Sequence, residues 1–306
     1  MSNEAGSPTR PWYLTGASGW FGRTALWEYE QLYGAEALRR DVVAFASCDR
    51  EIDFGSPHGP MQAKAMSTLL EQPTEPSGLL HLAFLTRDRI DSVGLQHYVA
   101  ANRAITATVE HLLRHNPHLP IITTSSGAAA ALDGKPAELE SNPYATLKQE
   151  EEALWRNSAQ QRMAVVFRVY AASGRFLKSP QIFALGDFVA KALAGEAIQI
   201  TSRRPVIRSY VHVGTLMRLC WLMLRQPLPA GFQRLDACTD TLSLVDLAEQ
   251  ISEIWQLPAP QYELDPKLEP DNYQADVEPF RELLQRYGLI SPSLAEQIQE
   301  TALAIR

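Results

Sequence analysis

Residues 141–155, SNPYATLKQEEEALW, set a tyrosine and a lysine four positions apart, Tyr144 and Lys148, at the start of a stretch with helical character. On a helix, side chains at i and i+4 share a face one turn apart, and a phenol beside an ammonium can move protons. Bringing a phenol from its free value of about 10 down to about 7 requires roughly 4 kcal/mol of preference for the phenolate. One ammonium about 4 Å away, at an effective dielectric of about 20, supplies approximately that. The spacing predicts Tyr144 as a general acid/base tuned by Lys148. Upstream, TTSSG at 123–127 places hydroxyls at the end of an apolar run. Ser126 is expected to hold a substrate oxygen while Tyr144 moves its proton, with Ser125 as the alternate.

A second signal is YLTGASGWFG at 13–22, where glycines 16, 19 and 22 follow a short apolar lead. When a strand turns tightly into a helix, glycines let the backbone approach a ligand and the helix aims its unpaired N–H groups at a phosphate. A dinucleotide pyrophosphate is the expected occupant. The helix that follows, from about Trp20 to Tyr33, ends at Gly34, a residue suited to a left-handed cap. The next apolar run, VVAFA, ends at Ser47 with Arg50 just beyond. A small polar residue plus an arginine suits the 2′-phosphate of NADP, whereas an acid there would select NAD. NADP is therefore expected, with NAD possible because Asp49 and Asp53 are close by, and Asp53 with Phe54 could instead flank the adenine.

These groups need a scaffold that carries them to one edge. Strand-like runs occur at 12–15, 42–47, 78–84, 120–126 and 163–170, separated by helical patterns such as 96–115, where Val99, Ile105, Val109, Leu112 and Leu113 recur near the helical period until Pro117. Apolar strands alternating with amphipathic helices describe a doubly wound parallel α/β sheet covered on both faces. In it, TTSSG ends the fourth parallel strand, and ligand sites form at such carboxyl ends. A dinucleotide-binding domain is expected over residues 1–170. From 171 to 306 a smaller mixed α/β substrate-binding region is expected, with a strand at 210–213, a helix at 243–255 and segments that return to the main sheet.

Composition narrows the function. The 306 residues carry 28 basic and 35 acidic side chains, a net charge of −7, which disfavours a nucleic-acid partner. Three cysteines, Cys48, Cys220 and Cys238, none in a C-x-x-C pair, fit a reducing cytoplasm rather than a disulfide framework or a thiolate metal site. The N-terminal MSNEAGSPTRP lacks the apolar core of a signal peptide, and WLML at 221–224 reads as a buried helix face, so no membrane partner is expected. His111, His115 and His118 read as solvated residues at a helix end, QEEEA at 149–153 as a solvated face, and His81 and His212 as satisfied strand residues. No metal is expected.

Glycine turn, serine at a later strand end and Y-x-x-x-K on the next helix, in that order, resemble the extended short-chain dehydrogenases/reductases of the NAD-dependent epimerase/dehydratase family, which act mostly on nucleotide-linked sugars. TGASGWFG at 15–22 is similar to the family's T-G-x-x-G-x-x-G turn, which implies cofactor contacts from Gly16, Ser18, Gly19, Trp20, Phe21 and Gly22. HLAF at 81–84 resembles its H-x-A strand end, placing Leu82, Ala83 and Phe84 beside the cofactor, and Asn102 falls where the family carries a structural asparagine. Ser126, Tyr144 and Lys148 match the catalytic serine, tyrosine and lysine, with Lys148 on the nicotinamide ribose. RVYAASG at 168–174 resembles R-P-x-N-x-x-G and RSYVHV at 208–213 resembles R-D-F-V-H-V, from which Arg208 would reach the substrate diphosphate. The family's asparagine is Ala171 here, its aspartate is Gly214, and the acidic pair of the sugar dehydratases is Gly127 and Ala128. The resemblance implies hydride exchange at a ring carbon without dehydration, either net ketoreduction with NADPH or epimerisation with retained NAD, in a homodimer formed through the helices near 96–115 and 144–157. The alternatives are a dinucleotide-sensing scaffold without turnover and a reductase of a non-sugar ketone.

Overall fold

Trp12, Tyr13, Leu14 and Thr15 are all buried, as happens to a strand covered on both faces of its sheet. The computed structural model describes residues 10–135 and 138–305; most of the N-terminal stretch read above for targeting, residues 1–9, lies outside them. The chain runs β1 (Trp12–Thr15), α1 (Trp20–Tyr33), α2 (Ala35–Asp41), β2 (Val42–Ala46), β3 (Arg50–Ile52), β4 (Met61–Ala65), β5 (Gly78–His81), α3 (Ile90–Val93), α4 (Leu95–His115), β6 (Ile121–Ser126), α5 (Gly127–Ala130), α6 (Pro143–Ser158) and β7 (Met163–Val169). It continues with β8 (Ala171–Ser173), α7 (Ala184–Leu193), β9 (Gln199–Ile200), β10 (Val206–His212), α8 (Val213–Arg225), β11 (Gly231–Ala237), β12 (Asp240–Ser243), α9 (Leu244–Trp255), β13 (Gln261–Tyr262), β14 (Asp271–Tyr273), α10 (Glu278–Arg286) and α11 (Leu294–Ile305).

Eight strands form the main sheet in the order β11-β7-β6-β5-β1-β2-β4-β3. The pairs of β1 with β2 and β5, β2 with β4, and β5 with β6 are parallel, and β3 is antiparallel to β4. This is the Rossmann-like, mostly parallel α/β architecture that the alternating pattern predicts. One expectation needs correction: β4 is an additional parallel strand, so the run ending at Ser126 is the fifth in chain order and not the fourth. Its sequence, MQAKA, alternates buried with exposed residues, because it lies near the sheet's edge with one face in water. On one face of the sheet Tyr13, Phe45, Leu79, Ile121 and Val166 pack with Val109 and Leu112 of α4 and Trp155 of α6. On the other, the Trp221 indole of α8 donates to the Ala25 carbonyl of α1 (2.8 Å), and Trp221 and Leu224 are buried. Among the described residues no helix is long and apolar enough to cross a membrane.

Two compact units are distinguished. The first is the chain up to Phe167 with Cys220–Arg234, and the second is Arg168–Leu219 with the chain from Leu235 on. In the second, β12, β10 and β14 form a small sheet with β8 beside β10, over a core of α7, α9 and α11 residues such as Val189, Ile251 and Ile298.

Candidate active site

The turn after β1 is built around its glycines. Gly16 has φ +73°, and a Cβ there would lie 2.5 Å from the Leu82 carbonyl carbon and 2.6 Å from Ala83 N, so only glycine lets the segment after β5 pass this close. A Cβ on Gly22 would collide with the Gly16 carbonyl oxygen and the Ala17 backbone, so that glycine seats α1 against the turn. Gly19 is the N-cap of α1, contributes no side-chain cap and is followed by no acid in the first turn. Gly19 is exposed, and Ser18, Trp20 and Phe21 are half-buried around it. A close backbone approach and uncapped N–H groups are the requirements of a pyrophosphate cradle, and these residues meet them.

Register carries the next strand to the same edge, since Thr15 pairs with His81. The buried Thr15 hydroxyl accepts from Leu82 N (3.2 Å) and Ala83 N (3.3 Å) and lies 2.7 Å from His81 Nδ1. Because that oxygen already accepts twice, its own hydrogen goes to Nδ1, and the ring's other nitrogen, Nε2, carries the proton. Asn102 of α4 is 1% exposed. Its amide accepts from Leu85 N (2.7 Å) and donates to Leu85 O and Tyr98 O. It ties α4 to the residue that follows Phe84 and so holds the segment of Leu82, Ala83 and Phe84 in place.

Ser126 ends β6 and caps α5, its Oγ accepting from Ala128 N (3.1 Å). A side-chain hydrogen bond joins it to the Tyr144 phenol. Ser125 alternates to the opposite side of the strand, where it is buried and donates to Glu152 (2.5 Å); it is therefore committed to the interior, which corrects its expected place as an alternate substrate ligand. Tyr144 and Lys148 lie on α6, whose start is capped by Asn142, and the Phe84 ring stands edge-on to Tyr144 at 5.8 Å.

The electrostatics differ from the simple Tyr–Lys expectation. Lys148 Nζ donates to Glu151 (2.9 Å) and to the Thr124 carbonyl (3.1 Å), and it stands 3.6 Å above the centre of the Phe84 ring, so all three of its hydrogens have partners within the protein. Burial pushes the Tyr144 phenol up; Ser126 and Arg87 act to lower it, and Glu151 raises it further. The phenol keeps its proton at neutral pH, which corrects the prediction of a phenol brought near 7: the ammonium is present, but a carboxylate answers its charge.

That carboxylate belongs to QEEEA, and its burial corrects the expectation of a solvated face there. Glu150 is exposed and paired with Arg103 (2.7 Å), whereas Glu151 and Glu152 are each 4% exposed. They share the inward stripe of α6 with Lys148 and Trp155, because positions three, four and seven residues apart fall on one helix face. Glu151 also accepts from the Thr106 hydroxyl (3.0 Å) and faces His81 Nε2 at 3.6 Å, so His81 belongs to the site's charge network.

Around the end of β2, Ser47 and Arg50 are exposed. Asp49 accepts from Ala65 N at the end of β4 (2.6 Å) and Asp53 from Gly55 N in a local turn (2.9 Å), so each acid holds a backbone amide. Phe54 is fully buried and presents no face to an adenine, contrary to expectation. Arg23, one residue past the third glycine and passed over in the sequence, reaches this segment by donating to the Asp53 carbonyl (2.7 Å). In the second unit, Arg208 donates to the Asp271 carboxylate (2.8 Å) and main-chain carbonyl, beside the Tyr273 ring. No group of three or more His, Cys, Asp or Glu converges as a metal site among the described residues.

A sequence model described as the NAD dependent epimerase/dehydratase family matches residues 12–231. No curated protein matches the chain. Solved structures share its fold. MoeE5 in complex with UDP-glucose and NAD superposes with a TM-score of 0.72 at 18% identity, over 96% of this chain and 98% of that one. UDP-glucose 4-epimerase of Thermotoga maritima with UDP-glucose gives 0.71 at 17% identity, over 97% and 98%. UDP-glucuronic acid 4-epimerase of Bacillus cereus, in complex with UDP-glucuronic acid and NAD, gives 0.70 at 17%, over 96% and 98%.

Proposed function

The chain belongs to the NAD-dependent epimerase/dehydratase family, a family of enzymes, and from that premise we propose that it is a nicotinamide-dinucleotide oxidoreductase acting at a ring carbon of a nucleotide-linked sugar. The observation that carries this reading is the Ser126–Tyr144 hydroxyl pair at the carboxyl end of β6, where ligand sites form in such sheets. The nucleotide sugars and NAD bound by proteins of like fold support the substrate and cofactor classes.

Gly16, Ser18, Gly19, Trp20, Phe21 and Gly22 would hold the pyrophosphate, Leu82, Ala83 and Phe84 would line the inner half of the cofactor, and Tyr144 and Lys148 would meet its ribose. Ser47 and Arg50 favour NADP over NAD. The chemistry that a bound reduced dinucleotide supplies is hydride delivery to a carbonyl carbon. Ser126 holds the carbonyl oxygen, and Tyr144, protonated at neutral pH, gives it a proton; the O–H bond of the phenol breaks as that of the product alcohol forms, and solvent reprotonates the phenolate. Ketoreduction and epimerisation with retained NAD both call on this pair, and the assay below separates them. Gly127 and Ala128 carry no carboxylate to eliminate water, which disfavours dehydration. A homodimer through α4 and α6 is part of the proposal and is checked by light scattering.

Turnover is tested by oxidation of NADPH with UDP-linked ketosugars, alongside analysis of any dinucleotide that copurifies. Reduction that falls about 10²–10⁴-fold in Tyr144→Phe is expected. Interconversion of UDP-hexoses with retained NAD would instead establish epimerisation. A second reading, a dinucleotide sensor without turnover, is favoured by the full engagement of Lys148 and of Arg208 by Asp271. Tight dinucleotide binding with no response to any nucleotide sugar would establish it.

A further inference from the structure

Glu151 has no assigned task in the proton transfer, yet its carboxylate lies inside the first unit, where a charge without partners is costly. Three elements converge on it: Lys148 from its own helix (2.9 Å), the Thr106 hydroxyl from α4 (3.0 Å) and His81 Nε2 from β5 (3.6 Å). Tyr144 lies two turns earlier on the same helix. Besides Glu151, the charged and titratable groups that act on its phenol are Arg87, before α3, and Tyr98 of α4, with the Ser126 hydroxyl bonded to it and Lys148 one turn along the helix.

An isolated ammonium would favour the phenolate, whereas an ammonium and a carboxylate 2.9 Å apart act on it as a dipole, and most of the two fields cancels. We propose that Glu151 is a positioning residue for the Tyr144–Lys148 pair: it neutralises the Lys148 ammonium inside the protein and so keeps the proton on Tyr144, which makes the tyrosine a proton donor rather than a base. This rests on the reading of Tyr144 as the proton-transfer group. The upward displacement of the Tyr144 phenol, with Glu151 among its causes, is in line with it.

The test is a pH titration of the ligand-free protein by NMR with tyrosine labelled at Cζ, the Tyr144 signal being the one lost in Tyr144→Phe. In the wild type Tyr144 is expected to ionise above the free-phenol value of about 10. In Glu151→Gln the midpoint should fall by at least about one pH unit, a tenfold rise in ionisation constant, and Glu151→Asp should restore the wild-type value. If Glu151→Gln does not fold, Lys148→Met supplies the readout, with the midpoint expected to rise; the double variant Lys148→Met/Glu151→Gln should return near the wild type. A midpoint that ignores both charges in folded variants overturns the proposal. The measurement needs neither cofactor nor sugar, so an enzyme without turnover would sink the functional reading and leave this result standing.

Discussion

The Lys148 ammonium lies 2.9 Å from the Glu151 carboxylate on the same helix, and both side chains are almost wholly buried, at 7% and 5% exposure. A surface pair with this spacing would contribute a few tenths of a kcal/mol. Inside the protein the stakes are different, since each charge is tolerated only because the other is there. The pair also leaves Lys148 without a spare hydrogen, its other two being directed to the Thr124 carbonyl and the Phe84 ring.

Removing one charge should therefore destabilise the fold far more than removing both. Lys148→Met leaves Glu151, among the described residues, with Thr106 and His81 as partners, and a loss of about 3–5 kcal/mol is expected in urea unfolding. Lys148→Met/Glu151→Leu replaces the pair with apolar groups and should recover most of that loss. A single variant within about 1 kcal/mol of the wild type would contradict the burial argument.

Acid should expose the same pair, together with one in the second unit. Burial alone would raise the Glu151 carboxyl, but Lys148 and His81 overcome it and hold it at about 2, below the usual 4.5. Burial likewise opposes, and His212 and Arg175 outweigh, in bringing Glu300 to about 2. A carboxyl lowered by folding binds fewer protons in the native state, so its stabilisation is complete above the unfolded value and is lost as pH falls through the folded one. The urea midpoint should drop between pH 4.5 and 2, less steeply in Glu151→Gln and in Glu300→Gln, each affecting its own network.

The three glycines of the cradle should separate by what surrounds them. Gly16→Ala combines positive φ with a Cβ against the Leu82 and Ala83 backbone, so a loss of at least about 1–3 kcal/mol is expected. A Cβ on Gly19 would meet only the Gly16 carbonyl oxygen, at 3.3 Å. Gly19→Ala should melt near the wild type while weakening dinucleotide binding by calorimetry. Equal melting losses in the two variants would contradict a cradle shaped by close backbone approach.

The glycine turn and the serine were legible because each lies where a strand gives way to a helix, and apolar runs mark those places; the Tyr–Lys pair was legible from its four-residue spacing at the start of α6. β4 was not, since Gln62 and Lys64 face water and leave only Met61, Ala63 and a half-buried Ala65 as its apolar signal. Glu151 and Glu152 were hidden in a run of three acids, although their spacing from Lys148 and Trp155 marked an inward stripe. The ionic state of Tyr144 could not be read from spacing at all. It depends on a carboxylate held by α4 and β5, and only the folded chain brings those elements together.

Phe84 is the one partner of Lys148 that a single substitution can remove without leaving a buried charge unpaired. Its ring lies 3.6 Å from Nζ, a contact worth about 0.5–2 kcal/mol, and Phe84 is itself half-buried. Phe84→Ala should lower the melting temperature modestly while tightening dinucleotide binding, because the third hydrogen of Lys148 becomes available to a ribose hydroxyl. Calorimetric affinities measured side by side decide this, and weaker binding in a folded Phe84→Ala would show that the ring supports the ligand rather than competing with it.

Cofactor choice should rest on the exposed arginine at the start of β3, just beyond the end of β2. Asp49 and Asp53 are tied to the backbone amides of Ala65 and Gly55, which leaves Ser47 and Arg50 as the groups best placed to accept a 2′-phosphate, with Arg23 anchored alongside through the Asp53 carbonyl. A hydrogen bond to a charged group is worth about 1.5–3 kcal/mol, so Arg50→Ala should weaken NADPH binding by about tenfold or more. NADH, which has no 2′-phosphate, should bind the variant as it binds the wild type. Fluorescence titration of both dinucleotides into both proteins measures the four affinities. A wild type that prefers NADH, or an Arg50→Ala variant that loses both cofactors equally, would reverse the assignment, the first by showing that the acids choose the ribose and the second by showing that Arg50 supports the fold of the strand.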